Sequence, residues 1–203
     1  MNYLELSIKD TEKETIKLAE RIKNENQFAP DIVVFISKGS YIIGKTFSDY
    51  FKVPLVEIFA VREGNKLKEI ISPLLRVIPK RLKKYLRSKE LKSGVHSKNT
   101  QRKVYFEKGN ELLQKAINIL IVDDSVDTGY TAKQVYEYID KSFGENKVIK
   151  FASLNYFEES KVVFEVEYTL YKNSIMVGPW SKDSKYHKEF ILQYSRAKEK
   201  GAF

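Results

Sequence analysis

Cysteine is absent from the 203 residues. That excludes disulfides, thiolate metal sites and a cysteine nucleophile. No apolar run approaches the ~20 residues of a membrane-spanning helix. Met1 to Asp10 is mixed in polarity, so no signal peptide is visible. These absences fit a cytoplasmic location. Acidic residues nearly vanish from one stretch: between Arg76 and Lys103 the only one is Glu90. What is present points to a folded, soluble protein with one sizeable core, since hydrophobic residues make up 42% and charged residues 31%. The net charge of +9 suits a polyanionic ligand, either a nucleic acid or a phosphorylated small molecule. Charge alone does not choose between them.

The most informative pattern runs from Ile119 to Thr131. Ile119, Leu120, Ile121 and Val122 form an apolar run that suits a strand buried on both faces. Asp123 and Asp124 stand where that strand is expected to end. Asp127, Thr128, Gly129 and Thr131 supply short polar side chains and one backbone free to take positive φ. Ala132, Val135, Tyr136 and Ile139 then recur at helical spacing. Strand, polar loop and helix together place backbone N–H groups around a phosphate at a helix N-terminus. Adjacent acids at a strand's carboxyl end can hold sugar hydroxyls or a metal ion that bridges phosphate oxygens.

This segment resembles, position for position, the phosphoribosyl-pyrophosphate (PRPP) motif of the type I phosphoribosyltransferases: four apolar residues, two acids, two more residues, then D-T-G-x-T. The resemblance implies that Asp123, Asp124, Asp127, Thr128, Gly129, Tyr130 and Thr131 bind PRPP. Asp123 and Asp124 would grip the ribose hydroxyls and Mg²⁺. Asp127 would act as the catalytic base. Ser37-Lys38-Gly39-Ser40 directly follows the buried run Ile32–Ile36 and resembles the family's pyrophosphate loop, with Ser40 where a second glycine is usual. Pro179-Trp180 resembles the Pro-Trp of some bacterial xanthine and guanine enzymes, which makes Trp180 the base-stacking candidate. Asp183 is a candidate for a second magnesium through pyrophosphate, with Lys188 able to pair with that group. Purine enzymes of the family usually carry a lysine just beyond the fourth strand to read the base. Here Asn155 and Tyr156 stand there, with Lys161 further on, so the acceptor stays open.

A competing pattern overlaps the Lys38 loop. Gly39 to Thr46 satisfies G-x-x-x-x-G-K-[ST], the signature of nucleotide-binding P-loops. Tyr41, Ile42 and Ile43 suit a phosphate-wrapping backbone poorly. Ile43, Phe47, Tyr50 and Phe51 instead recur at helical spacing, so a helix is expected from near Ser40 with Lys45 and Thr46 inside it.

Elsewhere Leu4, Leu6 and Ile8 alternate as in a short edge strand. Thr11 and Glu14 read as a capping box opening a helix to about Asn24 that buries Leu18, Ala19 and Ile22. Val53–Ile58 and Lys147–Leu154 read as further strands, as does Val162–Leu170 with a turn or bulge inside. The tail after His187 is expected to start as a helix and then fray. Residues 60–115 read as an insertion with a basic helix around Lys80–Lys92 and a polar loop with two β-leaning ends from Gly94 to Val104. In the family this interval carries a mobile loop that closes over the reaction centre, which makes Lys98, Arg102 and Lys103 candidates to meet pyrophosphate. His96 reads as a loop residue.

The expected architecture is one α/β domain over residues 1–203. It has a central, mainly parallel five-stranded sheet flanked by helices, and a small hood that includes residues 174–203. The resemblance implies magnesium-dependent transfer of phosphoribose from PRPP to a nitrogen of a nucleobase-like acceptor, a purine in the first instance, by a homodimer. Two alternatives differ in class: a P-loop nucleoside triphosphatase, and a PRPP- or nucleotide-sensing regulator that binds nucleic acid through the basic 76–103 stretch.

Overall fold

The computed structural model describes residues 3–26, 28–62 and 102–203. The chain divides into two compact units, Met1–Ala60 with Val104–Phe203, and Val61–Lys103. Residues 63–101 lie outside the described residues, and with them the expected basic helix, His96 and Lys98.

The strands are β1 (Tyr3–Glu5), β2 (Ile32–Ile36), β3 (Leu55–Arg62), β4 (Arg102–Phe106), β5 (Asn118–Val126), β6 (Val148–Tyr156), β7 (Tyr168–Lys172) and β8 (Ile175–Val177). The helices are α1 (Ile8–Asn26), α2 (Tyr41–Phe51), α3 (Asn110–Lys115), α4 (Tyr130–Phe143) and α5 (His187–Glu199). The main sheet has the order β4-β3-β2-β5-β6-β7. The pairs β2–β3, β2–β5, β5–β6 and β6–β7 are all parallel. The sheet thus has six strands rather than the five expected. Arg102–Phe106, which overlaps the β-leaning end of the expected polar loop, adds a strand beside β3 at one edge.

Strict alternation along β2 sends its residues into two cores. Val33 and Phe35 join one with Leu120 and Val122 of β5. Ile32, Val34 and Ile36 join the other with Ile119 and Ile121. The first core is covered by Leu18, Ala19 and Ile22 of α1, Ile43 and Phe47 of α2, and Phe190 of α5. The second is covered by Leu113 of α3 and by Ala132, Val135 and Ile139 of α4. Helices on both faces explain why the central strands read as unbroken apolar runs. Each fully buried aliphatic side chain contributes about 1.5–3 kcal/mol.

Three expectations change in detail. The helix α1 starts one turn earlier than its expected capping box. Ser7 and Asp10 make the reciprocal pair, with Ser7 N–H donating to Asp10 Oδ2 at 3.0 Å and Asp10 N–H to Ser7 Oγ at 3.1 Å. Thr11 lies inside the helix and donates its hydroxyl back to Ser7 O at 2.8 Å. Val162–Leu170, expected as a strand with a turn or bulge inside, is paired only from Tyr168 onward. Glu158–Val162 forms a 3-10 turn. Phe164 buries its ring against Phe151 and Tyr136 instead of joining the sheet. The tail, expected to end in a loose polar stretch, instead places the Phe203 ring against Phe35, Tyr41 and Tyr194.

The first strand, β1, pairs in parallel with β8 in a separate two-stranded sheet. The chain therefore returns its last strand to its first, beside the segment that carries Gly178 and Trp180.

Candidate active site

Chain order and sheet order disagree between β2 and β5. From β2 the chain moves to β3 on one side, and later strands build outward from β5 on the other. The loops that leave these two strands diverge around a crevice, the place where open α/β sheets bind ligands. Ser37–Ser40 follows β2, and Asp127–Gly129 follows β5.

The first loop begins under strain. Ser37 has φ 53° and ψ 177°, a region that non-glycine residues rarely enter. Its N–H donates to Ile58 O at 2.8 Å, which anchors the distortion to β3. Lys38–Ser40 then forms a 3-10 turn that runs into α2, leaving Lys38 exposed. Gly39 sits over the acid pair, since a Cβ there would lie 3.8 Å from Asp124 Oδ1. The Ser40 hydroxyl is fully buried and contacts Asp123 Oδ1 at 2.7 Å and Ile36 O at 2.8 Å. Its side chain therefore ties the first loop to β5, and its part in ligand binding would fall to the backbone.

Asp123 and Asp124 lie within β5, which runs on beside β6 to Val126, and not at the strand's end as expected. Asp123 is 8% exposed and accepts the Asp124 N–H at 2.9 Å as well as its Ser40 contact. Burial, with the Asp124 charge beside it, pushes the Asp123 carboxyl well above the usual carboxylate range. Burial raises Asp124 too, assisted by the Asp127 charge and opposed by a hydrogen bond with Asp123. Two adjacent acids that resist joint ionisation form an oxygen-only set that a hard divalent cation would relieve. Mg²⁺ is commonly held by one or two carboxylates plus phosphate oxygens, so the pair fits that ion. Among the described residues no three acidic or histidine side chains gather as metal ligands. Asp183, exposed in the turn before α5, is thus not brought into one ligand set with Asp123 and Asp124.

Gly129 caps α4 at φ 79° and ψ −17°. A Cβ there would come within 3.1 Å of Ser160 O and 3.2 Å of Phe164 N. The residue thus meets both a conformational and a steric demand. The helix α4 starts at Tyr130, so the N–H groups of Tyr130, Thr131 and Ala132 belong to its first turn, where they lack intrahelical acceptors and favour an anion. Thr128, Tyr130 and Thr131 are all half-buried around this end. Asp127 is exposed beside it, with Ser125 Oγ donating to its Oδ1 at 2.7 Å. Ser125 and Asn155 are the residues whose part the sequence did not reveal, because only the β5–β6 register brings them together.

Trp180 is half-buried, and its indole lies over Gly178, where a Cβ would fall 2.2 Å from the ring. Lys45 and Thr46 sit inside α2. Lys45 pairs with Asp49, and the Thr46 hydroxyl donates to Ile42 O at 2.8 Å. Residues 39–46 therefore make no phosphate-wrapping loop, and the P-loop alternative falls. A hollow of about 450 Å³, lined by Glu12, Ile16, Tyr41, Lys45, Asp49 and Gln193 among others, shares no residue with the loops above.

Comparison with known proteins bears on the fold and the family. The model of the phosphoribosyl transferase domain matches residues 6–169. Among solved structures, the purine phosphoribosyltransferase from Pyrococcus horikoshii Ot3 superposes with a TM-score of 0.57 at 18% identity, covering 90% of this chain and 95% of that one. The Helicobacter pylori xanthine-guanine-hypoxanthine phosphoribosyltransferase gives 0.61 at 14% identity, covering 93% and 99%. A hypothetical protein from Neisseria gonorrhoeae with bound ppGpp gives 0.58 at 15% identity, covering 95% and 97%. No curated protein matches. At these identities the superpositions speak for the fold, and the domain match speaks for descent: the chain belongs to the type I phosphoribosyltransferase family of enzymes.

Proposed function

We propose that this phosphoribosyltransferase moves the phosphoribosyl group from PRPP to a ring nitrogen of a purine and releases pyrophosphate, with Mg²⁺ as cofactor. One observation carries the reading: the Ser40–Asp123 contact at 2.7 Å, which holds the Lys38 loop against the acid pair at the sheet's topological switch. The purine assignment is supported by the two superposing enzymes named for purine substrates.

Each group has a place in the reaction. The N–H groups at the start of α4, with the Thr128 and Thr131 hydroxyls, take the 5′-phosphate. Asp123 and Asp124 hold the ribose hydroxyls. Lys38 and the backbone of Ser37, Gly39 and Ser40 take the pyrophosphate, whose bond to the anomeric carbon breaks ahead of attack. Mg²⁺, when held by Asp123 and Asp124, supplies neutralisation of the departing charge, and Asp183 is the candidate for a second ion through pyrophosphate. Asp127 accepts the proton that the acceptor nitrogen loses. Trp180 stacks on the base, a contact worth about 1–3 kcal/mol. The enzyme works in the cytoplasm as a homodimer.

The test is pyrophosphate release from PRPP and Mg²⁺ with guanine, xanthine and hypoxanthine. Release that requires one of these bases is expected. Asp127→Asn should cut turnover by about 10²–10⁴-fold while PRPP still binds. Unchanged turnover would remove Asp127 from the chemistry. Base-independent release, or none with any purine, would remove the purine assignment.

A further inference from the structure

Asn155 occupies the stretch where purine enzymes of this fold are expected to read the base, yet its side chain cannot reach an acceptor. It is fully buried, and its amide is spent inside the protein. Asn155 Oδ1 accepts the Ser174 N–H at 3.2 Å, and Asn155 Nδ2 donates to Ser174 O at 2.9 Å. This two-point pairing with the backbone N–H and C=O of one residue fixes which end of the amide carries the hydrogens. The second hydrogen of Nδ2 goes to Ser125 Oγ at 3.0 Å. Ser125 is the register partner of Asn155 across β5 and β6.

A serine hydroxyl has one hydrogen to give. With the Asn155 amide donating into Ser125 Oγ, that hydrogen is directed to Asp127 Oδ1, 2.7 Å away. The chain of donors therefore has a single direction: amide, hydroxyl, carboxylate. Its far end is tied to the backbone of Ser174, itself 2% exposed, one residue before β8. β8 leads directly into Gly178 and Trp180.

We infer that Asn155 and Ser125 are positioning residues for Asp127, holding its carboxylate through a directed hydrogen-bond chain anchored at Ser174. The inference rests on the reading of Asp127 as the proton acceptor. It gives the Asn155 position a different task from reading the base. Recognition of the acceptor's edge must then come from other groups. It also joins the acid loop to the strand that carries the Trp180 segment, so the proton acceptor and the stacking residue are set from one anchor.

Ser125 is the cleaner handle, because removing the Asn155 amide would also orphan the buried Ser174 backbone. Ser125→Ala should lower kcat by about 10–100-fold, the scale of a misplaced catalytic group, with the KM for PRPP unchanged. Ser125→Thr, which restores a hydroxyl, should recover most of the loss. In the double variant Ser125→Ala with Asp127→Asn, the serine change should add nothing to the loss from Asp127→Asn alone. An undiminished further loss in the double variant would show that Ser125 acts on something else and would overturn the inference. If Asp127→Asn lowers turnover and Ser125→Ala does not, the chain of donors falls and the proton-acceptor reading stands. If Asp127→Asn leaves turnover unchanged, the reading beneath it falls. A crystal structure of Ser125→Ala gives the readout that needs no acceptor. The Asp127 carboxylate is expected to leave its present position, and an unmoved carboxylate would overturn the inference.

Discussion

Gly129 shows how much one missing side chain can decide. Its φ of 79° disfavours an L side chain, and a Cβ there would press on Ser160 O at 3.1 Å. Gly129→Ala is expected to cost about 1–3 kcal/mol, read from the urea midpoint, and to weaken PRPP binding by displacing the first turn of α4. Sequence pointed to this glycine through its motif, but its steric partner lies 31 residues further along. Glu57 carries the clearest pH signature away from the site. It is 5% exposed, accepts the Tyr194 hydroxyl at 2.7 Å, and lies 3.6 Å from Lys198. Burial nevertheless raises its carboxyl above the ordinary value of 4.5. The same contact and its burial push the Tyr194 hydroxyl up. A raised folded value means that the folded state binds the proton more tightly. The stability Glu57 contributes is therefore full below about pH 4.5 and falls as pH rises through its folded value. Comparing wild type with Glu57→Gln by denaturant titration from pH 4 to 7 should show the wild type losing ground steadily. A constant difference would mean that Glu57 does not titrate there.

The helices repay the same treatment. The α1 boundary turned on a local choice between two overlapping signals, Ser7 with Asp10 and Thr11 with Glu14. Both place a hydroxyl three residues before an acid. The structure uses the earlier one, and hydrogen bonds from Ser7 lower the Asp10 carboxyl. Glu14 instead reaches across to β7, where it accepts the Tyr171 hydroxyl at 2.7 Å. Ser7→Ala is expected to cost about 0.5–2 kcal/mol, the usual loss for an N-cap hydroxyl. The helix α5 and the residues after it form the second case. The tail read as polar and loose, yet its final ring meets three aromatic neighbours with centroids 5.0–5.7 Å away. Phe203→Ala should lower stability by about 1–3 kcal/mol, measured by thermal unfolding. No periodicity announces a single terminal aromatic, which is why the sequence alone left it out.

The molecule as a whole is a phosphoribosyltransferase domain whose candidate site is assembled from segments far apart in the chain. Ser40 and Asp123 are 83 residues apart, and the parallel β2–β5 pairing brings their strands side by side. A ligand that binds only this assembled state stabilises it by mass action. PRPP with Mg²⁺ at about one hundred times the dissociation constant should add about 2.7 kcal/mol to folding stability, visible as an upward shift of the melting curve. Chelating the metal should remove most of that increment. An increment untouched by chelator would argue against Asp123 and Asp124 as magnesium ligands. Among the described residues no helix is long and apolar enough to cross a membrane.

The sequence by itself determined what local chemistry can write. The buried strands announced themselves because both of their faces are covered. The segment from Ile119 to Thr131 did so because its acids, threonines and glycine stand in a fixed order along a few residues. The helix over Lys45 and Thr46 was legible from its apolar spacing, and that spacing already argued against a P-loop. Tertiary structure alone decided that Arg102–Phe106 joins the sheet, where Val162–Leu170 breaks and the pairing of β1 with β8, since each depends on which surface the fold leaves to cover. It also decided the bonds among Ser40, Asp123, Ser125, Asn155 and Ser174. Those contacts follow from strand register, and register is set by the whole sheet closing over its two cores rather than by any neighbour in the chain.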